Sequence, residues 1–177
     1  MVTPKILASK ISYKGKIYTV REESVRLTNG RTIWHEVIEK NDSAAVLVID
    51  KKWRLLINQE YRTGRRDYAY KLPGGLRNIG ESPRQAAGRE LEEETGLRPV
   101  KLTELFVANS GGTSRWDRYY YYTLDYKAGL AKPDFDEDIK LLWVPIKKAI
   151  AMAWNNKFIG GEVGYAVLKF ARLKHKL

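Results

Sequence analysis

Polar and apolar positions alternate along the first forty residues, the pattern of half-buried strands. Ser9–Tyr13 and Lys16–Arg26 flank a Lys14-Gly15 turn, and Arg31–Glu39 follows an Asn29-Gly30 pair, a strong hairpin signal. A small antiparallel sheet is therefore expected over residues 1–40, ahead of a main domain over 41–177. There the pattern changes to a continuous apolar run, Ala44–Ile49, suited to a central strand and expected to form a hairpin with Leu55–Glu60 around Asp50-Lys51-Lys52-Trp53. Leu102–Asn109, Tyr119–Tyr126 and Lys140–Val144 are rich in aromatic and β-branched residues and read as further strands. Two closing helices are expected, over about Ile146–Trp154 and Glu162–Lys174. In the second, Val163, Ala166, Val167 and Phe170 recur at helical spacing, as core contacts do.

Composition narrows the class. With 177 residues, 44% of them hydrophobic, the chain can bury a real core without a metal or disulfide staple. It has no Cys, which excludes disulfides, thiolate metal sites and a thiol nucleophile. The longest apolar run, Ala44–Ile49, falls far short of the roughly 20 residues of a membrane span. The opening segment has no signal-peptide pattern, so a cytoplasmic protein without membrane attachment is expected. The formal charge of +11 favours polyanionic partners, from nucleotides to RNA.

Chemistry becomes legible in the middle of the chain. Ser82-Pro83-Arg84-Gln85 has the arrangement of a capping box with Pro at the first helical position, and Gly96 marks a stop. A helix over Pro83–Thr95 would place Glu90, Glu93 and Glu94 on one side. Carboxylates so close repel one another, and a positive partner must offset them. Arg89, four residues before Glu93, is one candidate, and a divalent cation with its preference for hard oxygen ligands is the stronger one.

Just upstream lies Leu72-Pro73-Gly74-Gly75-Leu76. From Gly75 the chain reads Gly, five residues, Glu81, seven residues, then Arg89-Glu90-Leu91-Glu92-Glu93-Glu94-Thr95-Gly96-Leu97. This resembles the complete signature of the Nudix hydrolases, whose seven fixed positions would match by chance at a given start on the order of once in 10⁸. The resemblance implies an α+β fold with a mixed β-sheet sandwiched between helices, and hydrolysis of a nucleoside diphosphate linked to a further group. It also implies Mg²⁺ or Mn²⁺ as cofactor, with metal ligands at Glu90, Glu93, Glu94 and the Gly74 carbonyl. Arg89 would orient the carboxylates and Glu81 would support the loop.

Further segments resemble the ADP-ribose pyrophosphatases: Asn58-Gln59-Glu60-Tyr61-Arg62, Tyr70-Lys71-Leu72-Pro73-Gly74-Gly75, the loop Ser110-Gly111-Gly112-Thr113-Ser114, and Asp136-Glu137-Asp138. That group implies ADP-ribose as substrate and a homodimer built by exchange of the N-terminal strands. It points to Arg62 as a phosphate contact, with Gly112 in a substrate loop, and to Trp34 as an aromatic against the base, although a strand Trp also serves packing. Glu137 is the candidate general base, with Asp136 and Asp138 as alternatives. Three positions depart from the group. Lys71 stands where a Glu is usual, Arg115 where an acidic residue is common, and a proline of the loop is replaced at Ser110 or Gly111. Other nucleoside diphosphate sugars, dinucleotides and RNA 5′ ends are therefore alternative substrates. A non-catalytic nucleotide- or RNA-binding module is the alternative of a different class.

The run Trp116–Tyr122 interleaves aromatic residues with Arg118. It suits base stacking on single-stranded nucleic acid, or a strand with tyrosines on both faces and half of them in the core. Arg65, Arg66 and Arg77 add positive charge near the glycine loop, and Lys169–Lys176 reads as a solvated helix face.

Overall fold

The computed structural model of the chain describes residues 3–133, 135 and 138–176. In chain order the elements are β1 (Lys5–Lys14), β2 (Thr19–Arg26), β3 (Thr32–Glu39), β4 (Ser43–Val48), β5 (Arg54–Arg62), β6 (Asp67–Lys71), β7 (Gly74–Leu76) and α1 (Pro83–Thr95). They continue as β8 (Leu97–Pro99), β9 (Thr103–Asn109), β10 (Ser114–Arg115), β11 (Asp117–Thr123), β12 (Tyr126–Ala128), β13 (Ile139–Pro145), α2 (Ile146–Trp154) and α3 (Gly161–Leu173). They form two compact units. One comprises the described residues up to Asp42 with Asn109–Asp117, the other Ser43–Ala108 with the described residues from Arg118.

In the first unit the strands lie in the order β1-β2-β3-β10. β1 and β2 pair antiparallel from Lys5↔Arg26 to Lys14↔Thr19, with irregularities between Ile6 and Ala8 and between Ile11 and Tyr13. Such bulges and the edge lysines Lys5, Lys10 and Lys14 are devices that blunt an exposed strand. The segment Asn109–Asp117 joins this unit because Arg115 donates to Glu23 (3.1 Å) and Glu39 (2.5 Å), bringing β10 parallel to β3. Arg21 also donates to Glu39 (2.8 Å), and its hydrogen bond is the main reason the Glu39 carboxyl lies below the usual range.

In the second unit β4 and β5 do not form the two-stranded hairpin expected of them. They touch at one bridge, Ile49↔Leu55, and then diverge into different sheets, β7-β4-β11-β9 and β13-β5-β6. The Asp50 carboxylate accepts from the backbone of Lys52 and Arg54, and Trp53 takes a positive φ of 55°, which turns the chain from one sheet into the other. The physical reason is burial on both faces: all six residues of β4 are buried, so each strand needs neighbours on both edges and a core on both sides.

Those two cores define the layers. Ala45 and Leu47 of β4, Ile49 just after it, and Leu55 and Ile57 of β5 pack with Tyr120, Ile146, Ala149, Val163, Val167 and Phe170 on the side of α2 and α3. Ala44, Val46, Val48 and Leu56 pack with Ala86, Ala87 and Leu91 of α1 on the other side. The sheets are thus sandwiched between α1 and the α2–α3 pair. β11 resolves the tyrosine run: Tyr120 and Tyr122 pack on one core and Tyr119 and Tyr121 on the other, so both faces of the strand serve packing. Among the described residues no helix is long and apolar enough to cross a membrane.

Candidate functional site

The helix α1 has the expected bounds. Ser82 caps it through Gln85, whose side chain accepts from the Ser82 N–H (2.9 Å), and Gly96, at φ 68°, ends it. Ala87, Leu91 and Glu94 lie on its inward stripe, so Glu94 continues a core row and is nearly inaccessible. A buried carboxylate must be satisfied, and three donors meet it. The Asn58 side chain (2.8 Å) and the Gly74 N–H (2.9 Å) donate to Oε2, and the Lys71 ammonium (2.8 Å) donates to Oε1. Asn58 and Lys71 face each other across the β5–β6 ladder. Glu60, two residues along β5 and so on the same face, takes Lys71 at 2.6 Å and Arg62 at 2.7 Å.

Arg89 gathers the outer half of the site. Its guanidinium donates to both oxygens of Glu81 (2.9 and 3.0 Å), to Glu90 (2.9 Å), to Glu93 (2.8 Å) and to the carbonyl of Leu76 (2.9 Å). Hydrogen bonding from Arg89 is the largest influence on Glu81 and holds its carboxyl below the ordinary value. Glu90 behaves differently: burial, reinforced by Glu94 and Glu93 against the pull of Arg89, pushes it up to about 7. Its carboxylate lies over Gly75, where an added Cβ would sit 2.5–2.7 Å from the carboxylate atoms. The glycine loop and the helix therefore meet with no side chain between them.

This loop, helix and carboxylate arrangement lies within residues 39–161, which match the NUDIX domain model. The chain belongs to the Nudix hydrolases. It is similar to an ADP-ribose pyrophosphatase of Bacillus subtilis, 25% identical over 98% of this chain and 95% of that one. It also resembles an ADP-ribose pyrophosphatase of Mycobacterium tuberculosis, 31% identical over 81% of this chain and 71% of that one. In fold it is similar to an ADP compounds hydrolase whose crystal structure superposes with a TM-score of 0.85 at 20% identity, covering 100% of this chain and 98% of that one.

Nudix hydrolases generally use divalent metal ions. Among the described residues no three acidic or His side chains converge tightly enough to hold one as they stand, because Arg89 draws in Glu90 and Glu93 and Lys71 draws in Glu94. The donor chemistry nevertheless fits: the oxygens are hard carboxylates, and Glu90 lies in the cradle that the bare Gly75 leaves.

The other expected Nudix site residues are spread more widely. Arg62 is half-exposed beside Glu60. Trp34, in β3, is 61% exposed and pairs across the ladder with Ser24, and Gly112 takes φ 68° in the turn before β10; both belong to the first unit. Glu137, with the alternative Asp136, lies outside the described residues. Asp138 is described, 3.4 Å from the Tyr68 hydroxyl. Arg77 donates to the Glu81 carbonyl (3.2 Å) in the glycine loop, while Arg65 and Arg66 are exposed in the β5–β6 turn.

The sequence assigns no chemical role to Asn58 or Glu60, and marks Lys71 only as a departure that bears on substrate choice, not as a partner of Glu94. For Asn58 and Glu60 the available signal was polarity at alternate positions directly after the apolar Leu55–Ile57 of β5, and for Lys71 it was a charge at the end of β6, next to the glycine loop.

Proposed function

We propose that this chain hydrolyses ADP-ribose to AMP and ribose 5-phosphate, with Mg²⁺ or Mn²⁺ held by Glu90, Glu93, Glu94 and the Gly74 carbonyl. The observation that carries the reading is the Arg89 hub, which ties Glu81, Glu90, Glu93 and the loop carbonyl of Leu76 together beside the glycine loop. The names of the relatives from Bacillus subtilis and Mycobacterium tuberculosis supply the substrate. A bound divalent ion would neutralise the pyrophosphate and acidify the attacking water.

The chain's own groups do the rest. Glu81 fixes the Arg89 guanidinium, and Arg89 in turn aims Glu90 and Glu93 toward the loop. Arg62 meets the phosphates, for which a guanidinium fork is well shaped. Trp34 lies against the base, and Gly112 belongs to the substrate loop. Glu137 takes the proton as the water oxygen bonds to phosphorus and the bridging P–O bond breaks, a contribution of typically 10²- to 10⁴-fold in rate. The working form is a homodimer joined through the N-terminal strands.

The test is product analysis of the purified protein with Mg²⁺ or Mn²⁺, offering ADP-ribose, a nucleoside diphosphate sugar, a dinucleotide and 5′-capped RNA in parallel. The highest kcat/KM is expected for ADP-ribose, with AMP and ribose 5-phosphate as products. A higher value for any of the others overturns the substrate, and no turnover of any of them overturns the hydrolase reading.

A further inference from the structure

Lys71 places a cation between the inward carboxylate of α1 and the sheet. Its ammonium lies 2.6 Å from Glu60 Oε2 and 2.8 Å from Glu94 Oε1, with the side chain only 15% exposed. The two acids come from different elements, β5 and α1, and are themselves almost fully buried, at 9% and 1% side-chain exposure. A positive charge bridging two buried carboxylates of separate elements is the arrangement that a hard divalent cation adopts. Here it is supplied by a side chain that cannot dissociate. Strand pairing fixes its position, since Lys71 stands opposite Asn58, and Asn58 donates to the same Glu94.

We propose that the Lys71 ammonium permanently fills the cation position between Glu60 and Glu94, so that no additional exchangeable divalent ion enters there and the site is left with the ion shared by Glu90, Glu93, Glu94 and the Gly74 carbonyl. The inference rests on the metal reading given under Proposed function. Removing the ammonium alone leaves two buried acids without their shared partner, a strongly unfavourable state that a divalent ion can relieve. Lys71 thereby sets how many ions the site takes. A purely structural ion pair would lack that property, because its loss would be answered by instability and not by a new ion.

The experiment is a titration of the metal-free full-length chain with Mn²⁺ alone, reading free Mn²⁺ by electron paramagnetic resonance, alongside thermal unfolding with and without Mn²⁺. The chains compared are wild type, Lys71→Met, Lys71→Arg and Glu90→Gln. The expected result is that Lys71→Met binds one more Mn²⁺ per chain than wild type and gains more in Tm from Mn²⁺, while Lys71→Arg keeps the wild-type count. If Lys71→Met is unfolded without metal, recovery of its folding transition by Mn²⁺ reads the same equilibrium. Equal counts and equal Tm gains in wild type and Lys71→Met, or no recovery by Mn²⁺, overturn the inference. The metal reading is scored separately: it stands if wild type binds Mn²⁺ and Glu90→Gln loses it, whatever Lys71→Met does. If none of the chains binds Mn²⁺, both fail.

Discussion

Glu90 and the glycines Gly74 and Gly75 of the adjoining loop illustrate how single positions divide between stability and chemistry. The folded chain holds the Glu90 carboxyl at about 7, against an ordinary value of 4.5. Between those values the folded state binds a proton that the unfolded chain has released, so this group's stabilising contribution is whole below pH 4.5 and lost as pH rises through about 7. Glu39, Glu60 and Glu81 are shifted downward, and their effect falls at lower pH. In a chelator, Tm should therefore decline across this window in wild type and decline less in Glu90→Gln. Parallel profiles would refute the assignment. The glycines separate the two roles further. An Ala at Gly74 would put its Cβ 2.1 Å from the Ala44 carbonyl oxygen, at a φ of +149° that disfavours any side chain, whereas at Gly75 it would meet the movable Glu90 carboxylate. Gly74→Ala should cost at least ~2 kcal/mol of stability. Gly75→Ala should keep most of its stability and lose about 100-fold in kcat, the scale of a 1 Å misplacement. Denaturant unfolding and steady-state kinetics on the two variants check this, and a Gly75→Ala enzyme with normal kcat would contradict it.

At the level of elements, α1 was the most legible part of the chain because its signals are local. Ser82, Pro83, Gln85 and Gly96 act within a few residues, and the structure places the cap and stop where they predict. Replacing Ser82 by Ala should destabilise the protein by ~1 kcal/mol, the usual value of such a cap. Because the helix end lies a full two turns before Glu90, kcat at 25 °C should change little; a large loss would mean that the cap also positions the carboxylates. The strands were legible as strands, but their partners were not. The sequences of β4 and β5 announce burial on both faces, which is compatible with one sheet or two, and only the turn chemistry of Asp50 and Trp53 separates them. The same limit hid the inner half of the site. Glu60, Lys71 and Glu94 are 11 and 23 residues apart along the chain and meet only after β5 pairs with β6 and the Glu94 side chain of α1 reaches Asn58 and Lys71. Arg89 and the outer acids, by contrast, are close in sequence and were expected together.

For the whole molecule, the apolar exposure of the first unit bears on assembly. Ile6, Leu7, Ile11 and Tyr13 of β1, with Ile33 and Trp34 of β3, are 38–61% exposed. Apolar surface gathered on one small sheet, with an edge strand whose residues are all exposed, is unusual for a protein that works as a monomer. Opposing association is charge, since two copies each carrying +11 repel one another. The proposed homodimer should therefore tighten as salt is added: the screening length falls from about 10 Å at 0.1 M to about 3 Å at 1 M, while kosmotropic salts also strengthen apolar burial. Sedimentation at micromolar concentration should give twice the 20.4 kDa chain mass, with a lower Kd at high salt. Exchanging Ile6 and Ile11 together for Glu should leave the chain folded, because both are exposed, and shift it to the monomer. A 20.4 kDa species at every salt concentration would show that these residues serve another purpose, and a dimer that salt dissociates would show that ion pairs hold it together instead of the apolar strands.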